Sequence, residues 1–129
     1  GPYSGKVRFL LDKLNGSYIM GYSDMSKKPF APLTLIGEGY QDVENYIRQN
    51  TELSEIAEKT KAFLNGFYSD FSLELLSSVD FIAREHDTLE FAFIQEKLNS
   101  WNDRKRSLFS NTNYLKRTIT HINQYQEVL

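Results

Sequence analysis

The chain contains no cysteine, which excludes disulfides, thiolate metal sites and a cysteine nucleophile. Histidine is nearly as scarce. His86 and His121 stand far apart, and neither has a second histidine three or four residues away, the spacing at which one helix face holds a metal. His86 reads as a helix-terminal residue and His121 as a solvated or half-buried one. There is also no glycine pattern that would cradle a phosphate, no nucleophile elbow and no pair of carboxylates that spacing singles out. These absences give a reading of a protein that is not an enzyme, with no cofactor, no metal and no small-molecule substrate. No apolar run approaches the roughly 20 residues of a membrane span, and no signal-peptide pattern opens the sequence. The expectation is therefore a cytoplasmic chain with no membrane partner. Charge of one sign is missing as well: a net charge of -2 does not suit a surface that grips phosphate throughout.

What the sequence does hold is apolar. Of 129 residues, 40% are hydrophobic and 14% aromatic, enough to bury a core in one domain without metals or disulfides. Residues 1–129 are read as a single helical domain. After Ser4, the residues Val7, Leu10, Leu11 and Leu14 fall at i, i+3, i+4 and i+7 and predict a helix that stops at Gly16. The stretch "SYIMGYSDMSKKPFAP" follows. It holds Gly21, Pro29 and Pro32, cannot sustain a helix, and predicts a turn-rich loop with room for one short strand.

Helical spacing then returns. Val43, Tyr46 and Ile47 mark a helix from about Gly39 to Gln49, and Leu53, Ile56, Ala57, Thr60, Phe63 and Leu64 mark another ending at Gly66. Ser69 or Asp70 caps a third stripe of Leu75, Leu76, Val79, Ile82 and Ala83, which ends near His86. Asp87 and Glu90 resemble a capping box ahead of Phe91, Ile94, Leu98 and Trp101. A last helix carries Leu115, Thr118, Ile119, Ile122 and Tyr125. The fold class is mainly α, a compact bundle of about six helices with the turn-rich loop after the first.

The charge is unevenly placed. Between residues 38 and 58, Glu38, Asp42, Glu44, Glu52, Glu55 and Glu58 face only Arg48, and between 97 and 117, Lys97, Arg104, Lys105, Arg106, Lys116 and Arg117 face only Asp103. Two readings of the basic segment "SWNDRKRSLF" stand beside each other. In one, Trp101 continues an apolar face and the cations sit at that helix's C-terminus, where they complement its dipole. In the other, Arg104 and Lys105 pair with a carboxylate, and Glu74, opening a neighbouring helix, is the best internal candidate. A helical DNA-binding or regulatory module using the basic segment is the alternative functional class, although no exposed aromatic residues alternate with the cations.

Three stretches together resemble a known family. "GPYSGKVRFLLDKLNGSYIMGYSD" is similar to the segment of DarG-type antitoxins in which a Gly-Pro-Tyr turn (here Gly1, Pro2 and Tyr3), an amphipathic helix and a Gly-x-Tyr-Ile-x-Gly-Tyr run follow in that order. "FLNGFYSDFSLELLSSVDFIA" resembles the family's Gly-Phe segment and Glu-Leu-Leu helix, which places Glu74, and "WNDRKRSLFS" resembles its Trp-x-x-Arg-Lys motif, which places Trp101, Arg104 and Lys105. The chain departs from the family at Asp80, usually histidine, and at Ser69, Asp70 and Phe71, usually a Pro-Tyr-Gly turn. In that family an N-terminal macrodomain removes ADP-ribose from DNA, while a C-terminal domain binds and neutralises the DarT toxin, a DNA ADP-ribosyltransferase. The resemblance implies the toxin-binding half, as a fragment of a longer antitoxin, with a DarT-type protein as partner. A surface of carboxylates and aromatics that imitates single-stranded DNA suits this role. Tyr40, Asp42, Glu44 and Tyr46 form one candidate, and Tyr18, Tyr22 and Asp24 the other.

Overall fold

A computed structural model of the chain describes residues 3–22 and 32–126. Gly1, Pro2 and Asp24, three of the residues singled out above, lie outside that set. The described residues form seven helices and one small sheet, so the architecture is mainly α. They divide into two compact units, Tyr3–Glu58 and the residues from Lys59 onward.

The first unit opens with α1 (Gly5–Leu14), where the Ser4 hydroxyl caps the helix by accepting from the Val7 N–H. The strand expected in the following loop has a partner: β1 (Ile19–Met20) pairs antiparallel with β2 (Thr34–Leu35), placing Ile19 opposite Leu35. The run from Gly16 to Tyr22 builds this corner. Gly16 and Gly21 both adopt positive φ, and a Cβ at Gly21 would sit 2.7 Å from the Pro32 carbonyl oxygen. Ile19 and Tyr22 are the buried apolar residues of the unit, and the Tyr22 N–H donates to the Asn15 side-chain oxygen at 3.1 Å. Helix α2 (Gly37–Gln49) follows, and Gly39 leaves room for the Tyr18 ring.

Helix α3 (Thr51–Leu64) runs through the division between the units. The second unit carries the main core. In α4 (Asp70–His86), Leu75, Leu76, Val79, Ile82 and Ala83 are buried, as the periodicity predicts. Its start is held by a reciprocal cap in which the Ser69 and Ser72 hydroxyls each accept the other residue's N–H. Ile94 and Leu98 of α5 (Phe91–Trp101), and Leu115 and Ile122 of α7 (Thr112–Tyr125), complete this core with Phe67 and Phe109.

Two local expectations are corrected. Asp87 does not cap α5; it sits in the left-handed region (φ 51°) and ends α4, while Glu90 itself caps α5 by accepting from the Ala92 and Phe93 N–H groups. The segment after Trp101 is not a plain connection either. Asn102 accepts from the Lys105 N–H and starts a sixth helix, α6 (Asp103–Leu108). The cations Arg104, Lys105 and Arg106 therefore belong to this short helix and not to the C-terminus of α5.

Candidate functional site

The strongest polar constellation lies in the second unit, where α4 faces α6. Glu74 and Ser78 are one turn apart on α4 and so share a face. Arg104 forks onto Glu74 with both guanidinium nitrogens, and the Lys105 ammonium donates to Glu74 at 3.2 Å and to the Ser78 hydroxyl at 2.9 Å. The pairing of Glu74 with both cations is thus present. Lys105 is wholly buried, and its Nζ lies 4.6 Å from the Trp101 ring centroid and 5.2 Å from that of Phe109. Ser78, also buried, gives its own proton to the Glu74 carbonyl at 2.6 Å. Every polar atom of the pocket has a partner.

The Glu74 carboxyl responds to this environment. The hydrogen bond from Arg104 is the largest influence; burial opposes it, the Lys105 hydrogen bond adds to it, and the balance lowers the group from an ordinary 4.5 to about 2. The carboxylate is consequently ionised across the physiological range. Sealed in this way, the cluster fastens α6 to α4 from inside the unit. It does not present Lys105 to a partner.

The rest of the basic segment is engaged on its own surface. Arg106 pairs with Asp103 and donates to the Asn99 carbonyl, while Lys97 and Lys116 lie over the rings of Phe93 and Phe91. Arg117 alone among the six cations has no partner within the described residues. This distribution weighs against a continuous phosphate-binding strip.

The candidate partner-binding residues among those described belong to the first unit, and the structure separates them by exposure. Tyr40 (47%) and Tyr46 (65%) are open on α2, with Asp42 beside them; Glu44 is half-exposed and accepts from Arg48 at 3.0 Å. Tyr18 is exposed next to Gly39. Tyr22 is only 4% exposed, so its ring is not offered to a recognition surface as Tyr18, Tyr40 and Tyr46 are. Tyr3 is exposed, and its hydroxyl bonds the Arg8 side chain and raises that guanidinium's pKa.

The histidines follow separate roles. His121 is half-buried among Phe63, Phe67 and Tyr125, with Nε2 2.6 Å from the Phe63 carbonyl, and His86 meets the Phe93 ring edge-on. Among the described residues, no three His, Asp or Glu side chains are grouped to hold a metal, and no helix is long and apolar enough to cross a membrane. Sequence reasoning missed Ser78 and Phe109 as neighbours of Lys105. The i+4 spacing of Ser78 from Glu74 was the available signal for the first; nothing in the sequence marked the second.

Comparison with known proteins adds a likeness to this geometry. No protein-family model matches the chain. A Thermus aquaticus protein named DNA ADP-ribosyl glycohydrolase is 27% identical over 105 residues, which cover 81% of this chain and 29% of that protein. Proteins of the same name from Mycobacterium tuberculosis and Mycobacterium bovis are each 26% identical over 115 residues, covering 85% of this chain and 33% of theirs. The chain therefore spans about a third of the length of the curated relatives it matches. The expectation of a protein that is not an enzyme is overturned here, because all three relatives carry an enzyme's name. Over most of its length, the chain is similar to a part of these proteins named DNA ADP-ribosyl glycohydrolase, as a DarG-related fragment would be.

Proposed function

We propose that this chain acts in a DarT/DarG toxin–antitoxin system as the part of a DarG-like protein that binds a DarT-type toxin and occludes its site for single-stranded DNA. The observation that carries this reading is α2, a helix with no buried residue. It sets Tyr40 one turn from Glu44 and Asp42 one turn from Tyr46, so that a ring and a carboxylate stand together twice on solvent-facing positions. Aromatic faces and negative charge are the two features by which single-stranded DNA is held, through stacking and through cations. A surface offering both is suited to a groove built for that polymer. Relatives named DNA ADP-ribosyl glycohydrolase support a role linked to ADP-ribosylated DNA.

The test adds the purified chain to a DarT-type toxin and follows ADP-ribose transfer to single-stranded DNA. Inhibition should be stoichiometric, and a Tyr40→Ala, Asp42→Asn, Tyr46→Ala triple variant should lose it by tenfold or more while keeping its helical circular dichroism. A parallel arm with DNA already carrying ADP-ribose separates occlusion from hydrolysis. Full inhibition by the triple variant, or none by the native chain, removes the reading.

A further inference from the structure

Arg117 lies on α7 between two depressions of the second unit. The first holds about 260 Å³ and is lined by Phe67, Phe71, Leu75 and Tyr114, with Ser69 and Ser72 at its edge. The second holds about 320 Å³ and is lined by polar groups, including Asn65, Thr120 and Gln124. Phe67 and Arg117 border both.

The polar groups of the first depression are already satisfied from within. The Ser69 and Ser72 hydroxyls bond each other and the start of α4, and the Thr118 hydroxyl donates to the Tyr114 carbonyl at 2.8 Å. Arg117 differs. Its guanidinium has no hydrogen bond or ion pair among the described residues, although the five other cations of its segment all do or lie over a ring. An exposed guanidinium beside an apolar slot is free to exchange its water for an anion joined to something apolar.

The size and charge of the slot decide which ligand. At about 260 Å³ it falls below the roughly 300–1,000 Å³ of sites that enclose a cofactor or nucleotide, and it suits one side chain. A diphosphate would find a single cation, Arg117, among the residues that line the slot. A lone carboxylate needs no more than one guanidinium. Phe71 and Tyr114, edge to face at 5.5 Å, offer a ring-shaped wall, and the polar second depression can accept the backbone of a chain that continues across Arg117.

We propose that these two depressions form a docking groove for an extended acidic peptide segment of a partner protein, in which an aromatic or branched apolar side chain fills the Phe71–Tyr114 slot and a neighbouring carboxylate pairs with Arg117. This groove belongs to the second unit and does not rest on the toxin-binding reading of α2.

The test is fluorescence anisotropy of a short labelled peptide that alternates phenylalanine and aspartate, titrated with the full chain. Saturable binding is expected, weakened about tenfold or more by Arg117→Gln, by Tyr114→Ala, and by replacing the peptide's aspartates with asparagine. Because Arg117 and Tyr114 are exposed, both variants should keep the native thermal midpoint, which separates lost recognition from lost folding. Three results would each overturn the proposal: no binding of the peptide, binding indifferent to Arg117→Gln, or displacement of the peptide by ADP or a thymidine oligonucleotide at lower concentration than by unlabelled peptide.

Discussion

Removing Glu74 should harm the protein far more than removing Lys105, although the two side chains share one ion pair. Lys105 is buried to 1% side-chain exposure, whereas Glu74 retains 23%. Replacing Glu74 by glutamine leaves the ammonium enclosed by the Ser78 hydroxyl, two rings and a neutral amide. Breaking a buried pair so that one charge stays uncompensated costs about 3–5 kcal/mol, and the amide oxygen, still able to accept from Lys105, places Glu74→Gln near the lower end. Lys105→Met reverses the situation. The apolar stem keeps its packing, the expensive burial of an ammonium disappears, and the carboxylate left behind still has Arg104 and water. Such replacements are close to neutral, so a change under about 1 kcal/mol is expected.

The double variant should recover most of the Glu74→Gln loss, giving a coupling of about 2 kcal/mol between the positions. Urea unfolding followed by Trp101 fluorescence reads this directly, because the only tryptophan lies 4.6 Å from the Lys105 ammonium and belongs to the same unit. A Lys105→Met variant more damaged than Glu74→Gln, or a double variant whose losses simply add, would refute the claim that the buried ammonium is the group needing compensation.

Three further outcomes follow from the same structure. Glu74 has a folded-state pKa depressed to about 2 from 4.5, so the stability it contributes is complete above the unfolded value and drains away as pH falls from about 5 toward 2; acid titration of Glu74→Gln should show a shallower loss over that window. Gly21→Ala forces a side chain into positive φ and against the Pro32 carbonyl, and should destabilise the first unit by more than about 1 kcal/mol, seen as faster amide exchange at the β1–β2 hydrogen bonds with the second unit unchanged. Ser69→Ala removes one half of the reciprocal cap of α4 and should lower stability by about 1 kcal/mol in the Trp101-detected transition, while Ser69→Asp should largely retain it.

The parts of the fold legible in the sequence are those whose residues face a core within one helix. The stripes of α4 and α7 point their apolar residues inward at regular spacing, and the burial of Val79, Ile82, Leu115 and Ile122 follows from that spacing alone. Helix α6 escaped because six residues are too few to show a period, even though Asn102 offered a capping side chain. Asp87 and Glu90 misled for a related reason: the local pattern matched a capping box, but α4 continued to His86 and needed a left-handed terminator, which left Glu90 to cap α5 alone. The Glu74 contact with Arg104 and Lys105 spans about 30 positions and was suggested by charge, yet the complete burial of Lys105 was not, since it depends on two rings closing over its stem. Tyr22 and Arg117 show the same limit from opposite sides. One looked available and is buried; the other looked like one cation in a run, and its guanidinium has no partner among the described residues.

That last contrast changes how the chain's charge polarity is understood. The balance of +5 between residues 97 and 117 already includes Asp103, and the Glu74 carboxylate, shared by Arg104 and Lys105, offsets one charge more; Lys97 and Lys116 lie over neutral rings and keep their charge. Lys105 is the cation of this run that is withdrawn from solvent. The acidic stretch behaves differently: no residue of α2 is buried, and the pair of Glu44 with Arg48 on it lies in solvent, where such pairs contribute little. Arg104 and Lys105 fasten α6 to α4, while the acids of α2 are exposed or half-exposed. Recognition by the first unit should therefore weaken steeply with added salt as its acids are screened, whereas unfolding of the second unit, held by a buried pair, should hardly respond. Measuring both salt dependences on the same preparation distinguishes an acidic recognition surface from a merely solvated one, because a solvated face would leave partner affinity as flat as the stability.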